Sequence, residues 1–263
     1  MTPEQSNDPH DMDLSAEGDD WRPTPHGRFL ADVLTENSFA KGKDVLELGG
    51  GVGNHTILLL RDEPRSLVVT EISEDLLAST RKNVERNRPK DSVIEYRVSD
   101  WLSTDGTFDL VVTNPPFCVS GKQNRRYFID SLILDAHRCL RPDGELLFIQ
   151  SSMADVHKTL RCLDENGFDA NVVDRRSGPF RDYYFEDKSF MEEIKQIPDG
   201  YTVQDGIHME TLNVIHGTLR PYSPPRSHTS PRPRSSAVYF GSIQRKVRFK
   251  RPPRALRILG SAC

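Results

Sequence analysis

Phe108-Asp-Leu-Val-Val-Thr-Asn-Pro-Pro-Phe117 reads as a buried strand over residues 109–113 that stops at two prolines. Neither proline has an N–H to give a sheet ladder, so the strand opens into a rigid loop. In an open α/β sheet that loop stands at the carboxyl end of a strand, where the ligand crevice lies. Asn114 presents a side-chain amide, Pro115 a backbone carbonyl and Phe117 an aromatic face. Two acceptors beside a stacking ring suit a flat amino or amide group, an –NH2 on an sp2 carbon. From this stretch alone, a plain strand followed by a Pro-rich turn is an equal reading.

Upstream, Asp44-Val-Leu-Glu-Leu48 is a short apolar strand running into Gly49-Gly-Gly-Val-Gly53, after which Asn54-His-Thr-Ile-Leu-Leu-Leu60 begins a helix. Strand, glycine turn and helix start let a ligand approach the backbone, with free N–H groups at the helix N-terminus. The acid Glu47 stands before the glycines. A phosphate loop would avoid that charge, whereas a ligand carrying an ammonium would seek it. The next strand, residues 66–70, ends in Glu71, placed to accept hydrogen bonds from ribose hydroxyls.

Glu47-Leu-Gly-Gly-Gly-Val-Gly53, Glu71-Ile-Ser-Glu-Asp75, Ser99-Asp-Trp101 and Asn114-Pro-Pro-Phe117 together resemble the class I S-adenosylmethionine-dependent methyltransferases. Within them the chain is similar to the methyltransferase small domain group, which includes N6-adenine and N2-guanine RNA and release-factor glutamine N-methyltransferases. The resemblance covers roughly residues 21–219. It implies a Rossmann-like α/β fold: a seven-stranded sheet of order 3-2-1-4-5-7-6, strand 7 antiparallel, with helices on both faces. It implies S-adenosylmethionine as cofactor and no metal. Glu47 with Gly49, Gly51 and Gly53 would hold the methionine end, Glu71 the ribose with Ile72 beside it, and Asp100 the adenine with Trp101 packed nearby. Asn114, which also borders the cofactor, and the Pro115 carbonyl would accept the two hydrogens of the target –NH2 while Phe117 stacks on it. The acceptor stays open between a nucleobase amino group in RNA, read first, and a protein glutamine or a small amine-bearing metabolite. A non-catalytic cofactor-binding scaffold is disfavoured by intact Asn114 and Glu71.

At 263 residues the chain has room for one α/β domain plus tails. No apolar run approaches the roughly 18 residues of a membrane span, and no signal-peptide core opens the sequence. Cys118, Cys139, Cys162 and Cys263 form no CxxC pair, and the expectation is reduced thiols in a cytoplasmic protein. Charge is uneven. Residues 1–20 carry seven acids and no Lys or Arg, whereas eleven of the 35 Lys/Arg and none of the 39 Asp/Glu lie from residue 211 onward. The expected organisation is a disordered acidic lead at 1–20, a catalytic domain at 21–219 and a basic Pro/Arg/Ser-rich tail at 220–263. The tail reads as a nucleic-acid contact, a solvated extension, or a segment that folds back on the acidic body.

Thr24-Pro25 starts a helix, with Thr as cap and Pro at the first position, and places His26, Gly27 and Arg28 near the crevice or simply in solvent. Ser73 caps a helix to about Asn87, and residues 93–98 form the third strand. Residues 127–140 read as a helix, 141–144 as a turn, 145–150 as the fifth strand, 153–166 as a helix stopped by Gly167, 168–173 as the sixth strand and 211–216 as the last. Residues 121–126 (Gly-Lys-Gln-Asn-Arg-Arg) read either as an anionic-substrate contact or as a solvated helix start. Residues 177–200, with four aromatics between Phe180 and Phe185, read as a lid or as an added helix on the sheet edge.

Overall fold

A computed structural model of the chain describes residues 12–14, 24–116 and 125–221. The chain alternates β1 (Asp44–Leu48), α2 (Asn54–Arg61), β2 (Ser66–Glu71), α3 (Glu74–Asn87), β3 (Ile94–Val98) and β4 (Phe108–Thr113), with α1 (Pro25–Glu36) before them. Then come α4 (Tyr127–Asp135), β5 (Leu140–Ser151), α5 (Val156–Glu165), β6 (Phe168–Pro179), α6 (Lys188–Ile194), β7 (Thr202–Gln204) and β8 (Ile207–Leu219). The sheet order is β3-β2-β1-β4-β5-β8-β6, with the short β7 paired only to β8. With β8 as the seventh strand this is the expected order, and β8 runs antiparallel to both β5 and β6.

The strands are apolar in unbroken runs because both faces are covered. Val45, Leu67, Leu110, Leu147 and Val214 join one core with α1 and α2. Their neighbours Leu46, Val68, Val111, Phe148 and Ile215 join the other with α4 and α5. A third, smaller core of Met153, Phe180, Tyr184, Phe190 and Ile194 closes the insert between β6 and β8. The caps are those the sequence announces: Thr24 Oγ1 accepts from Gly27 N, and Ser73 Oγ accepts from Leu76 N.

Four boundaries differ from expectation. The helix from residue 127 ends at Asp135, and residues 136–138 form a 3-10 turn. The chain must be extended again by Leu140, which pairs with Phe108, while Cys139 O accepts from Phe108 N. The expected turn at 141–144 is an irregularity inside β5 that shifts its register against β4, with Asp143 at φ +61°. The helix expected over 153–166 starts only at Val156, behind a 3-10 turn at 152–154, and Gly167 follows its end at φ +88°. Strands β6 and β8 run well past their apolar stretches, pairing from Phe168↔Leu219 to Pro179↔Met209.

At the amino end of the parallel strands lies a lattice of charges. Arg65 and Arg141 each bridge Asp44 (2.9 and 2.7 Å) and Asp109 (3.5 and 2.8 Å). Lys43 and His216 meet the two oxygens of Glu145 at 2.5 and 2.8 Å. Among the described residues no helix is long and apolar enough to cross a membrane.

Candidate active site

The glycine turn after β1 divides its residues between packing and openness. A Cβ on Gly50 would sit 2.5 Å from Val69 Cγ1 and 2.9 Å from Thr80 Cγ2, whereas a Cβ on Gly49 or Gly51 would meet nothing within 4 Å. Gly50 lets β2 and α3 close against the turn; Gly49 and Gly51 leave open space beside it. Thr80 Oγ1 donates to Gly51 O (2.5 Å) and Asn83 Nδ2 to Val52 O (3.0 Å), so α3 fixes the turn from behind. Gly53, at φ +89°, supplies the N-cap of α2 without a side chain, leaving its first N–H groups available.

Glu47 is 1% exposed. Thr56 Oγ1 donates to its Oε2 at 2.5 Å, and its Oε1 has no partner. Burial pushes this carboxyl up to about 8; the Thr56 bond opposes the shift and nearby Glu71 adds to it. Glu71 stands at the end of β2, its Oε1 accepting from Gly51 N (2.7 Å) and its Oε2 from Ile72 N (3.2 Å). Ile72 is 55% exposed. Asp100 is exposed after β3. Trp101, at φ +51°, turns its ring edge-on to Phe128 (5.0 Å) and donates from Nε1 to Ser131 Oγ (3.0 Å). Its indole thus packs toward α4, in the second core.

Asn114 is half-buried at the end of β4, with Pro115 buried and Pro116 exposed. Helix α1 crosses above it: a Cβ on Gly27 would lie 3.7 Å from Asn114 Nδ2 and 3.9 Å from His55 Cε1. His55 Nε2 lies 2.8 Å from Gly27 O. A carbonyl can only accept, so Nε2 carries the proton. Burial lowers the His55 pKa, the Gly27 bond opposing it, and the ring is a neutral strut between α2 and α1. Phe117 and Cys118 lie outside the described residues, as do residues 119–124.

The structure therefore brings Glu47, Gly49, Gly51, Glu71, Ile72 and Asn114 to the carboxyl end of β1, β2 and β4. Asp100 and Trp101 follow the neighbouring β3. The two arginines expected as substrate contacts or solvated residues are neither. Arg125 donates to Glu193 (2.6 Å) and Asp187 (3.4 Å) and lies over the Phe190 ring (4.6 Å). Arg126 is buried and donates to Asp130, Ala154 O, Asp155 O and Thr159 Oγ1. They pin the start of α4 to the insert and to α5. In the insert itself Phe180 and Tyr184 are buried while Phe185 is 47% exposed.

Sequence reasoning missed Thr56, which orients Glu47. Its position in the first turn of α2, where side chains fold back over the strand end, was the available signal. It also missed the contact of Arg181 Nη2 with His26 Nδ1 (2.7 Å). Those residues are 155 apart, and nothing local announces the pair. Among the described residues no group of three or more His, Cys, Asp or Glu is arranged to hold a metal ion.

Residues 25–176, more than half of the chain, match the model of the methyltransferase small domain family. A Methanocaldococcus jannaschii protein, provisionally named a protein N5-glutamine methyltransferase, is 25% identical over 157 residues, 54% of this chain and 79% of its own. The ribosomal RNA large subunit methyltransferase G of Streptomyces coelicolor is 35% identical over 145 residues, 52% of this chain but only 36% of its own. The solved tRNA m1G37 methyltransferase of M. jannaschii shares the fold: TM-score 0.50, 15% identity, covering 74% of this chain and 50% of that one.

Proposed function

The chain belongs to the methyltransferase small domain family, and on that footing we propose that it methylates a planar amino nitrogen, reading first a nucleobase amino group in RNA. Its cofactor is S-adenosylmethionine, and the residues present fit that group. Glu47 Oε1 is a buried oxygen without a partner, suited to an ammonium, and Gly49 and Gly51 leave open space beside it. Glu47 and the glycine backbone would hold the methionine end. Glu71 would hold the ribose, exposed Ile72 would cover an apolar face of the base, and Asp100 with Trp101 would border the adenine. When bound, the cofactor supplies an electrophilic methyl carbon on a sulfonium sulfur.

The acceptor chemistry rests on Asn114 above all. Its side-chain carbonyl and the Pro115 carbonyl accept the two N–H hydrogens of the target, favour pyramidal nitrogen and aim its lone pair. Phe117 is assigned the stacking face. A methylated cationic nitrogen on a planar group is acidic enough to give its extra proton to water, so no general base is needed. Catalysis is mainly positioning, a contribution of about 7–11 kcal/mol at its fullest.

A second acceptor, a protein glutamine, is favoured by one specific observation. Arg125 and Arg126 are engaged with the protein's own carboxylates and carbonyls, which removes them as phosphate contacts beside the crevice. The test is transfer of labelled methyl from S-adenosylmethionine into a fractionated cell extract. Label in RNA supports the first acceptor; label in protein supports the second. Asn114→Ala should abolish transfer while cofactor Kd stays within a few-fold. Unchanged transfer, or loss of cofactor binding, overturns the role given to Asn114.

A further inference from the structure

The glycine turn after β1 is held from behind by α3, and α3 is in turn held by residues 12–14, which precede α1 in the chain. Asp13 N donates to Asn87 Oδ1 at 2.9 Å, and Asn87 Nδ2 donates back to Asp13 O at 3.0 Å. The Asn87 amide thus meets this backbone with both its donor and its acceptor, as a neighbouring strand would. The Asp13 carboxylate adds an exposed pair with Arg86 at 3.7 Å, a weak contribution beside the backbone contact. Leu14 N donates to Met12 O at 3.0 Å, closing a tight turn. Met12 and Leu14 pack against the core that α1 and α2 share.

Two routes lead from this tripeptide to the glycine turn. The first runs through α3. Asn87 Nδ2 also donates to Asn83 O at 2.8 Å, one helical turn back. Asn83 is 0% exposed, and its own Nδ2 donates to Val52 O in the glycine turn. Thr80, Asn83 and Asn87 stand at i, i+3 and i+7 on one face of α3. That face has no slack against the turn: a Cβ on Gly53 would lie 2.9 Å from Val84 Cγ2 and 3.2 Å from Thr80 O. The second route runs over α2. Met12 and Leu14 line a cavity of about 310 Å³ with Arg28 of α1 and Asn54, the first residue of α2. Asn54 directly follows Gly53, and Arg28 directly follows Gly27, the residue set against Asn114.

We propose that residues 12–14 and Asn87 form a brace that positions the glycine turn for S-adenosylmethionine. With the brace seated, the last turn of α3 is fixed and Asn83 holds the Val52 carbonyl in one arrangement. Without it, the cofactor must order the turn as it binds, and that ordering costs affinity. Asn87 is a positioning residue: it touches no reacting group, so it acts on cofactor affinity and leaves the rate of the loaded enzyme alone. The inference rests on the cofactor and holds whichever amino nitrogen receives the methyl group.

The test is calorimetric binding of S-adenosylmethionine, with no acceptor present, to the full chain and three variants. These are deletion of residues 1–14, Asn87→Ala, and the two changes combined. Each single change should raise Kd about 5–50-fold. The combined variant should stay within about 2-fold of the weaker single one, because both changes break the same contact. A lower melting temperature with unchanged Kd in Asn87→Ala would make the contact structural only and overturn the brace. Losses that multiply in the combined variant would overturn it too. Failure of the full chain itself to bind S-adenosylmethionine would overturn the cofactor assignment along with the brace.

Discussion

Glu47 ties the chemistry of one carboxyl to the pH response of the protein. Its folded-state pKa is raised from 4.5 to about 8, chiefly by burial. An acid shifted upward holds its proton in the folded state after the unfolded chain has lost it. The unfolded state then binds fewer protons, and stability falls as pH rises through that window. The ligand-free protein should lose up to about 1.4 kcal/mol per pH unit between pH 4.5 and 8 from this group. Glu47→Gln should flatten that slope in denaturant melts at a series of pH values, and should weaken cofactor binding by about 10–100-fold. A wild-type slope retained in Glu47→Gln would assign it to other groups. At this scale the sequence was legible where the signal was local. Glu47, the glycines, Glu71 and Asn114 each sit at the end of an apolar run whose direction fixes where they point. His26 and Arg181 were not legible as a pair, because their meeting depends on where α1 and the end of β6 come together.

Among the elements, those buried on both faces were the easiest to read. The runs ending at Leu48, Glu71 and Thr113 could be nothing but interior parallel strands. The errors fall where tertiary pairing overrides local preference. Leu132 and Leu140 are both buried and suit one helical face, yet Leu140 is claimed by β4. The outer halves of β6 and β8 are polar, and only their mutual pairing makes them strands. The start of α4 is another such case: Arg126 read in the sequence as either a substrate contact or a solvated residue, and it is buried against the 3-10 turn at 152–154 and the start of α5. Its guanidinium serves a carboxylate, two carbonyls and a hydroxyl. Arg126→Ala would strand them, and should cost about 3–5 kcal/mol in chemical denaturation. A loss below about 1 kcal/mol would show that water replaces the guanidinium there.

Over the whole molecule, charge and stability are distributed unevenly. The eleven Lys/Arg from residue 211 onward are nearly all in residues 222–263, outside the described structure. Truncation after Pro221 would remove ten of the eleven. If the tail binds RNA phosphates, truncation should weaken RNA binding and flatten its logarithmic dependence on salt. On single strands the slope should fall by roughly 0.7 for each phosphate the tail had neutralised. An identical slope in the truncated chain would retire the tail as a phosphate-binding element.

The lattice of Asp44, Arg65, Asp109 and Arg141 ties the parallel strands at the end opposite Asn114. One share of the protein's robustness is thereby placed out of reach of the crevice. Substitutions within that lattice should show in melting temperature before they show in rate. A lineage adapting to heat could redesign its foundation without renegotiating its chemistry.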